Sequence, residues 1–364
     1  MNIFTVIMLV FAVIGFADKT FSLKAGLAES FDRGLATMAT MVIPIVGVSC
    51  VGVGLIQQNE AAIIHAASFF PFDPSMLVGA VLAPDLGGYF IAQQLTSDKA
   101  MLALNGIILG SLLGQTITFQ LPVYLAGINI EDRKPVLRGF ITGFIMVPAG
   151  MLAAGLMLGT EFRVFIMNFI PVLIVCIMIA VGIIKAPEGI IRGFSVFARA
   201  VQVIINLLFF VTVLGIFVPS MSLVSDETVH EAFIIVFKSS AIICGSLVFS
   251  ELILKFFRKY IRKLADRIGI NEISAVAMLL NCATSLAILP LISRMDEKGK
   301  MLNAAFSVSG TYVLGGQLGF VSSVADGGIV TVFVITKLLC GILSILIMDI
   351  IYRRSSRTQI QQSH

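Results

Sequence analysis

Residues 73–95, DPSMLVGAVLAPDLGGYFIAQQL, form an apolar segment with a break in its middle. Asp73 is a typical helix N-cap and Pro74 suits the first helical position, so a helix is predicted to begin there. The sequence Pro-Asp-Leu-Gly-Gly at 84–88 then has the composition of a turn. Ten helical residues rise about 15 Å, half of a ~30 Å hydrocarbon core. The pattern therefore predicts the Asp85 carboxylate near mid-membrane, where ionisable groups are costly and usually functional.

The composition places this segment in a membrane protein. Of 364 residues, 58% are hydrophobic and only 13% are charged, and the mean hydropathy is +1.01. A soluble core cannot use that much apolar sequence, so the chain is predicted to be a polytopic membrane protein. Two interpretations of 73–95 stay open at this point. The segment either crosses once as a kinked helix, with Asp85 only a turn former, or enters and returns on the same side.

Eleven apolar segments follow one another along the chain, at about 1–17, 34–56, 74–95, 100–126, 138–158, 164–184, 195–218, 229–254, 273–292, 301–320 and 329–351. Two connectors, 57–72 and 255–270, are amphipathic, and the second is strongly basic. We expect both connectors to lie along the membrane surface or against the bundle.

The distribution of Lys and Arg separates the two interpretations, because cytoplasmic loops carry the excess of these residues. If all eleven segments cross, the loop charges divide 12 to 11 between the two sides. If 74–95 and 273–292 are re-entrant, 21 lie on one side and only Lys99 and Arg163 on the other, with Lys238 and Lys337 inside segments. The second division favours two re-entrant segments.

The same assignment reveals an internal repeat. An offset of 198 residues lays the first five segments and their connector onto the last five and theirs, in matching order and length. Five crossings separate the copies, so the second is inverted, as in many secondary transporters. The predicted fold is an all-α polytopic membrane protein with about nine full spans plus two re-entrant segments. Its parts are a first repeat 1–158 (re-entrant segment 73–95), a linking span 159–194, a second, inverted repeat 195–352 (re-entrant segment 271–293) and a cytoplasmic tail 353–364, with the N-terminus outside.

Polar residues near the two breaks are the candidate substrate-binding groups. The half-helix ends would add unpaired backbone groups and dipoles. The alternative is that these polar side chains only hold helices together. The candidates are Asp85, Gly87, Gly88, Tyr89, Asn105 and Gln115 in the first half, and Thr284, Ser285, Asn303 and Gln317 in the second.

Lys337 is a second deep charge, about 13 Å into the last segment. A cationic substrate displacing Lys337 from Asp85 and a permanent structural pair are both compatible with the sequence. Sequence motifs for catalysis are absent: there is no HExxH, no GxSxG and no P-loop, and the five cysteines lack metal-ligand spacing. We therefore predict no catalytic residue, no metal, no cofactor and no nucleic-acid partner.

The chain resembles the ethanolamine utilisation permease family (EutH-type). The resemblance rests on the quoted segment and on NGIILGSLLGQTITF, MNFIPVLIV, RMDEKGKMLNAAFSVS, GGQLGF and TKLLCGI, in order over nearly the whole length. It implies a carrier in the bacterial cytoplasmic (inner) membrane, in contact with lipid, that brings ethanolamine to a cytosolic ammonia-lyase pathway; a homo-oligomer is possible. Asp85, Gly87 and Gly88 match the Asp-x-Gly-Gly of that family.

Two positions depart from the family pattern. Thr284-Ser285-Leu286-Ala287 replaces an Asn-Asn pair followed by Ile-Pro, and Gly316-Gln317 replaces Asp-His. The loss of a second acid and two amides indicates a divergent member with altered selectivity.

The expected function is secondary transport of ethanolamine or a similar small amino alcohol by alternating access. Asp85 would hold the ammonium, and Tyr89 or Tyr312 would add cation–π attraction. Asn105, Asn303, Thr284 and Ser285 are candidates for the hydroxyl. The alternatives are a narrow pore, a membrane-embedded enzyme using Asp85 and Lys337 as an acid–base pair, and a non-transporting scaffold. Proton symport and facilitated diffusion both fit the sequence.

Overall fold

The computed structural model describes residues 2–59, 63, 65, 69–218, 220, 223 and 225–362, with side chains up to 355. Within these residues the regular structure is entirely helical, which confirms the predicted all-α class. The helices are α1 (Ile3–Phe21), α2 (Ala28–Gln58), α3 (Ser75–Val81), α4 (Gly88–Leu95), α5 (Lys99–Gly127), α6 (Ile130–Leu158), α7 (Phe162–Lys185), α8 (Pro187–Phe217), α9 (Asp226–Ile268), α10 (Glu272–Ala283), α11 (Glu297–Ser309), α12 (Gly316–Val324) and α13 (Gly327–Gln362). Two 3₁₀ segments, Pro84–Leu86 and Leu286–Arg294, lie between α3 and α4 and after α10.

Eight helices in the described part of the chain are long and apolar enough to cross a membrane: α1, α2, α5, α6, α7, α8, α9 and α13. The predicted break within residues 73–95 is confirmed, because α3 ends at Val81 and α4 begins at Gly88, while the re-entrant course of the segment stays a prediction. These two half-helices have 7 and 8 residues, so each rises only about 10–12 Å. Neither half crosses a hydrocarbon core alone.

The predicted continuous helix at 301–320 is wrong, because the segment is interrupted. Helix α11 ends at Ser309 and α12 begins only at Gly316. Tyr312 between them has φ +59°, a left-handed conformation that ends a helix and is rare outside glycine. A third broken segment therefore joins the two predicted ones.

The basic connector 255–270 was predicted to be a separate element along the membrane surface or against the bundle, and the structure shows no such separate element. It continues α9, which runs for 43 residues, or about 64 Å. No glycine or proline interrupts the sequence between Gly245 and Gly269, and Gly269 closes the helix with φ +76°. The other predicted connector, 57–72, lies mostly outside the described residues. At the other end of the chain, α13 extends to Gln362 and so includes most of the predicted tail.

The core is built around α5, the most deeply buried of the eight long helices. Most of this helix has π-helical hydrogen bonding, over Leu102–Gly114 and Thr116–Gln120. Half-helix α3 packs directly on it, and α6, α11 and α13 form one face of the surrounding bundle. On the other face α1 packs on α9, and α8 packs on α2. The broken segments are thereby enclosed by continuous helices.

Ion pairs gather at the helix ends where most of the basic residues lie. Lys300 at the start of α11 pairs with Asp132 at the start of α6, with 2.6 Å between Nζ and Oδ1. Asp349 of α13 forms ion pairs with Lys298 and Arg353, at 2.5 and 2.8 Å. The side chains of both lysines and both aspartates are largely buried, so these ion pairs hold α6, α11 and α13 together.

Replacing Gly79 by alanine is expected to separate α3 from α5. A Cβ at Gly79 would overlap the carbonyl oxygen of Asn105, which is backbone and cannot move aside. Overpacking of this kind costs about 1–3 kcal/mol. Gly193→Ala in α8 is the matched control, because a Cβ there meets open space, and alanine favours a helix by up to about 1 kcal/mol over glycine. Thermal unfolding of the detergent-purified variants tests this: Gly79→Ala melting as high as Gly193→Ala would contradict the packing described.

Candidate functional site

Three helix breaks meet around one cavity. The first is 82–87 between α3 and α4, the second is 284–285 after α10, and the third is 310–315 between α11 and α12. With parts of α2, α5 and α9 they enclose a cavity of about 210 Å³, here called the central cavity. A single water needs about 10–15 Å³, so the space admits a small solute with its hydration.

The first break closes its own backbone hydrogen bonds. A 3₁₀ turn at Pro84–Leu86 places Asp85 at its centre, and the N–H groups of Leu86 and Gly88 both donate to the Ala83 carbonyl, at 3.2 and 3.0 Å. Gly87 has φ +95°, and a Cβ there would overlap the side chain of Val48. The Pro-Asp-Leu-Gly-Gly sequence therefore forms a tight turn with Asp85 at its centre, and backbone hydrogen bonds to Ala83 are kept within the turn.

The second and third breaks pair with each other. The N–H groups of Tyr312 and Leu314 donate to the carbonyls of Asn281 and Cys282, at 3.2 and 2.9 Å. The hydroxyls of Tyr312 and Ser285 lie 2.8 Å apart and share a hydrogen bond. These contacts hold the unwound third break against the last turn of α10, directly before the second break.

Three polar atoms at the central cavity have no hydrogen-bond partner in the structure. They are Oδ1 of Asp85, Oε1 of Gln115 and Nε2 of Gln317. The other end of the Gln115 amide is occupied, because its Nε2 donates to Oε1 of Gln120 at 2.8 Å. Buried polar groups are normally paired, so a set of unpaired ones around a cavity is suited to a polar ligand.

Lys337 lies directly behind this wall and is fully buried. Its Nζ donates to the Ser111 carbonyl at 2.8 Å and to Oε1 of Gln317 at 2.7 Å, and it lies 5.5 Å from the centre of the Phe333 ring. No described ion pair joins Lys337 to Asp85, although their charges interact at longer range. The Gln317 amide lies beside both Asp85 and Lys337, and it is hydrogen-bonded to Lys337.

The structure divides the sequence-predicted site residues into two groups. Asp85, Gln115, Thr284 and Gln317 line the central cavity, together with Tyr312. The others lie outside it: Gly87 and Gly88 shape the first break, Ser285 is bonded to Tyr312, and Tyr89, Asn105 and Asn303 line no part of it.

The two predicted asparagines join helices. Nδ2 of Asn105 donates to the Ser75 hydroxyl at 3.0 Å and to Asn168 at 3.1 Å. Nδ2 of Asn303 donates to the carbonyls of Ser274 and Gly299, at 2.9 and 3.0 Å. Each amide thus fastens a half-helix to its neighbour, which is the structural role that the sequence left open.

Sequence reasoning missed the contribution of α2 and of Phe119. Thr37, Thr40 and Pro44 of α2 line the central cavity, and Phe119 of α5 packs edge-on to Tyr312 with 6.4 Å between ring centres. The available signals were the proline and two threonines inside an apolar helix. They had no visible connection to the breaks, because the contacts join distant parts of the chain.

A second cavity of about 390 Å³ lies farther along the same helices. It is lined by Tyr89, Asp98 and Ile107, and by Val324 of α12. From Gln317 to Val324 the rise along α12 is about 10 Å.

An aromatic plug, formed by Tyr89, Phe90 and Phe320, lies between the two cavities. Phe320 is on α12 between Gln317 and Val324, and its ring lies 6.0 and 5.8 Å from those of Tyr89 and Phe90, in edge-to-face geometry. All three rings are buried. Along α12 the plug residue Phe320 thus lies between a residue of the central cavity, Gln317, and a residue of the second cavity, Val324.

Comparison with known proteins gives a family match over almost the whole chain. A sequence model described as "Ethanolamine utilisation protein, EutH" matches residues 1–351. A protein of Listeria monocytogenes named probable ethanolamine permease EutH is 31% identical, over 93% of this chain and 91% of its own length. Proteins with that name from Salmonella typhimurium and Escherichia coli are 27% and 28% identical, over 98% and 93% of this chain and 96% and 92% of their own lengths. No solved structure matches.

The hydrogen bond between Tyr312 and Ser285 is expected to stabilise the contact between the second and third breaks. Tyr312→Phe removes the phenol hydroxyl and leaves Ser285, which is 1% exposed, without that partner. The expected loss is about 1 kcal/mol of unfolding free energy. Tyr260→Phe on the exposed part of α9 is the control, and we expect no measurable change there. Equal melting temperatures for the two variants would show that the hydrogen bond between Tyr312 and Ser285 does not stabilise the contact between the breaks.

Proposed function

The chain belongs to the EutH family of ethanolamine utilisation proteins, and we propose that it is a secondary carrier for ethanolamine or a similar small amino alcohol. The proposal rests above all on the central cavity, where a carboxylate oxygen of Asp85 is buried without a partner at the meeting point of three helix breaks. The eight long apolar helices and the bacterial permeases it is similar to support a multi-pass protein of the bacterial cytoplasmic membrane.

The polar groups of the central cavity are complementary to a protonated amine. At neutral pH ethanolamine carries an ammonium with three donors and a hydroxyl that both donates and accepts. Oδ1 of Asp85 would accept from the ammonium in a charge-assisted hydrogen bond, and Oε1 of Gln115 offers a second acceptor. The rings of Tyr312 and Phe119 line the same space and would add cation–π attraction of about 0.5–2 kcal/mol.

The two cavities support transport by alternating access. In this conformation the aromatic plug closes the path from the central cavity to the second cavity, so a solute reaches the site from one side at a time. A helix of each predicted half packs on a helix of the other, α1 on α9 and α8 on α2. This exchange supports two related halves that move against each other around the breaks. We place the N-terminus outside, because the basic helix ends then face the cytoplasm.

A channel-like facilitator is the second candidate within transport, and the buried plug is the observation against a permanently open pore. Proton symport and facilitated diffusion would use the same site. Their difference lies in whether a pH gradient drives uptake.

Asp85→Asn is expected to reduce ethanolamine uptake into proteoliposomes at least about tenfold, because a neutral amide loses the charge-assisted bond to the ammonium. Asp226→Asn makes the same chemical change at an exposed position at the start of α9, and it should transport like the unmodified protein. Uptake is measured with and without a pH gradient in both variants. Undiminished uptake by Asp85→Asn would remove Asp85 from the site.

The plug is tested by labelling cysteines in a chain whose five native cysteines have been replaced and which still transports. Thr284→Cys places a thiol in the central cavity, and Ser97→Cys places one in the second cavity. A membrane-impermeant thiol reagent should reach these two positions from opposite sides of the membrane. Adding Phe320→Ala should let it reach Thr284→Cys from both sides, since the plug then has a gap. Labelling of both thiols from the same side in the plugged protein would contradict alternating access through these cavities.

A further inference from the structure

Gln317 presents its amide in one orientation only. When Lys337 is protonated its ammonium is a pure donor, and the amide atom 2.7 Å away is then the oxygen. This removes the usual ambiguity between the two ends of a glutamine amide. Nε2 is therefore the end that remains, and it is buried without a partner in a residue that lines the central cavity.

Lys337 holds that orientation firmly. Its ammonium also donates to the Ser111 carbonyl at 2.8 Å, and the side chain is fully buried beside Phe333. Turning the Gln317 amide would direct an N–H group at the ammonium and leave a buried charge with one acceptor fewer, which is strongly unfavourable. The central cavity consequently has both a fixed donor, Nε2 of Gln317, and an unpaired acceptor, Oδ1 of Asp85, among its lining residues.

We propose that Gln317 is a specificity-determining residue that recognises the hydroxyl oxygen of the solute, with Lys337 as its positioning residue. The preferred class is then a short amino alcohol, whose ammonium donates to Asp85 while its hydroxyl accepts from Gln317. An alkylamine of the same length satisfies Asp85 but leaves the Gln317 donor buried and unpaired. Sites built around a substrate hydroxyl reject the analogue that lacks it for this reason. The inference rests on the function proposed above and assigns the hydroxyl to one residue of that site.

Thr284 is the competing donor, since its hydroxyl also lines the central cavity. Its oxygen accepts from the Leu286 N–H at 3.3 Å, which leaves the hydroxyl hydrogen able to donate, and the residue is less buried than Gln317. Thr284→Val therefore serves as a control of matched shape. Gln57→Leu is the second control, because Gln57 is an exposed glutamine that contacts only Gln94 among the described hydrogen bonds and lies away from the cavity.

The test compares binding of ethanolamine and ethylamine, which share the ammonium and differ in the hydroxyl, by calorimetry on the purified protein in detergent. The unmodified protein should bind ethanolamine about tenfold or more tightly than ethylamine. Gln317→Leu should bring this ratio close to one while ethylamine binding stays within a few-fold of its original value, which also shows that the variant is folded. Gln57→Leu should keep the original ratio, and Thr284→Val measures how much the competing donor contributes to it.

Lys337→Met tests the positioning role separately. Removing the ammonium takes away the partner that fixes the Gln317 amide, so Gln317 is free to turn and the ratio of ethanolamine to ethylamine affinity should fall. A merely structural lysine would change both affinities and leave the ratio intact.

The outcomes distinguish this inference from the proposed function. A preserved ratio in Gln317→Leu, or a ratio lost in Thr284→Val and kept in Gln317→Leu, overturns the assignment to Gln317 while ethanolamine binding stands. Equal affinity of the unmodified protein for the two amines also overturns it. Binding of neither amine by the folded, unmodified protein overturns the proposed function itself.

Discussion

The structure depends on one constraint: inside a membrane, every backbone N–H and C=O that a broken helix exposes must find a partner within the protein. The first break meets it by folding back on the Ala83 carbonyl. The second and third breaks meet it by pairing with each other, through Tyr312 and Leu314 on one side and Asn281 and Cys282 on the other. The breaks therefore gather in one place, and the space left between them is the central cavity. Continuous helices around them keep lipid away from this unwound backbone.

The same constraint explains how two charges are accommodated at depth without forming an ion pair. Lys337 is satisfied by a backbone carbonyl of α5 and by the Gln317 amide. Asp85 is left with one oxygen unpaired at the cavity. A direct pair would neutralise the carboxylate and weaken its attraction for a cationic solute. The intervening amide keeps the positive charge near enough to stabilise the ionised carboxylate, and far enough away to leave it available.

The sequence was sufficient for the parts of the fold that depend on local chemistry. Pro84 and the glycine pair that follows predicted the first break to within a few residues, because proline and glycine act on the backbone directly. The third break was missed because SGTYVLGG has no proline, although it ends in a glycine pair. Its conformation is stabilised by hydrogen bonds to residues about thirty positions earlier, and local patterns do not reveal such contacts.

Among the candidate site residues the depth of Asp85 and Lys337 followed from segment lengths, while the partners of Lys337 did not, since Ser111 lies 226 residues away. Asn105 and Asn303 looked like ligand groups because a buried amide in an apolar segment is costly, yet the same cost is met when the amide hydrogen-bonds one helix to another.

The central claim is that a small amino alcohol binds between the breaks, with its ammonium on Asp85. The most direct measurement is a cryo-electron microscopy map of the purified protein with and without ethanolamine, at a resolution that shows small ligands. The account predicts ligand density in the central cavity, touching Asp85 and Gln317, that is absent without ethanolamine. Density confined to the second cavity, or a closed contact between Asp85 and Lys337 that excludes any ligand, would contradict it.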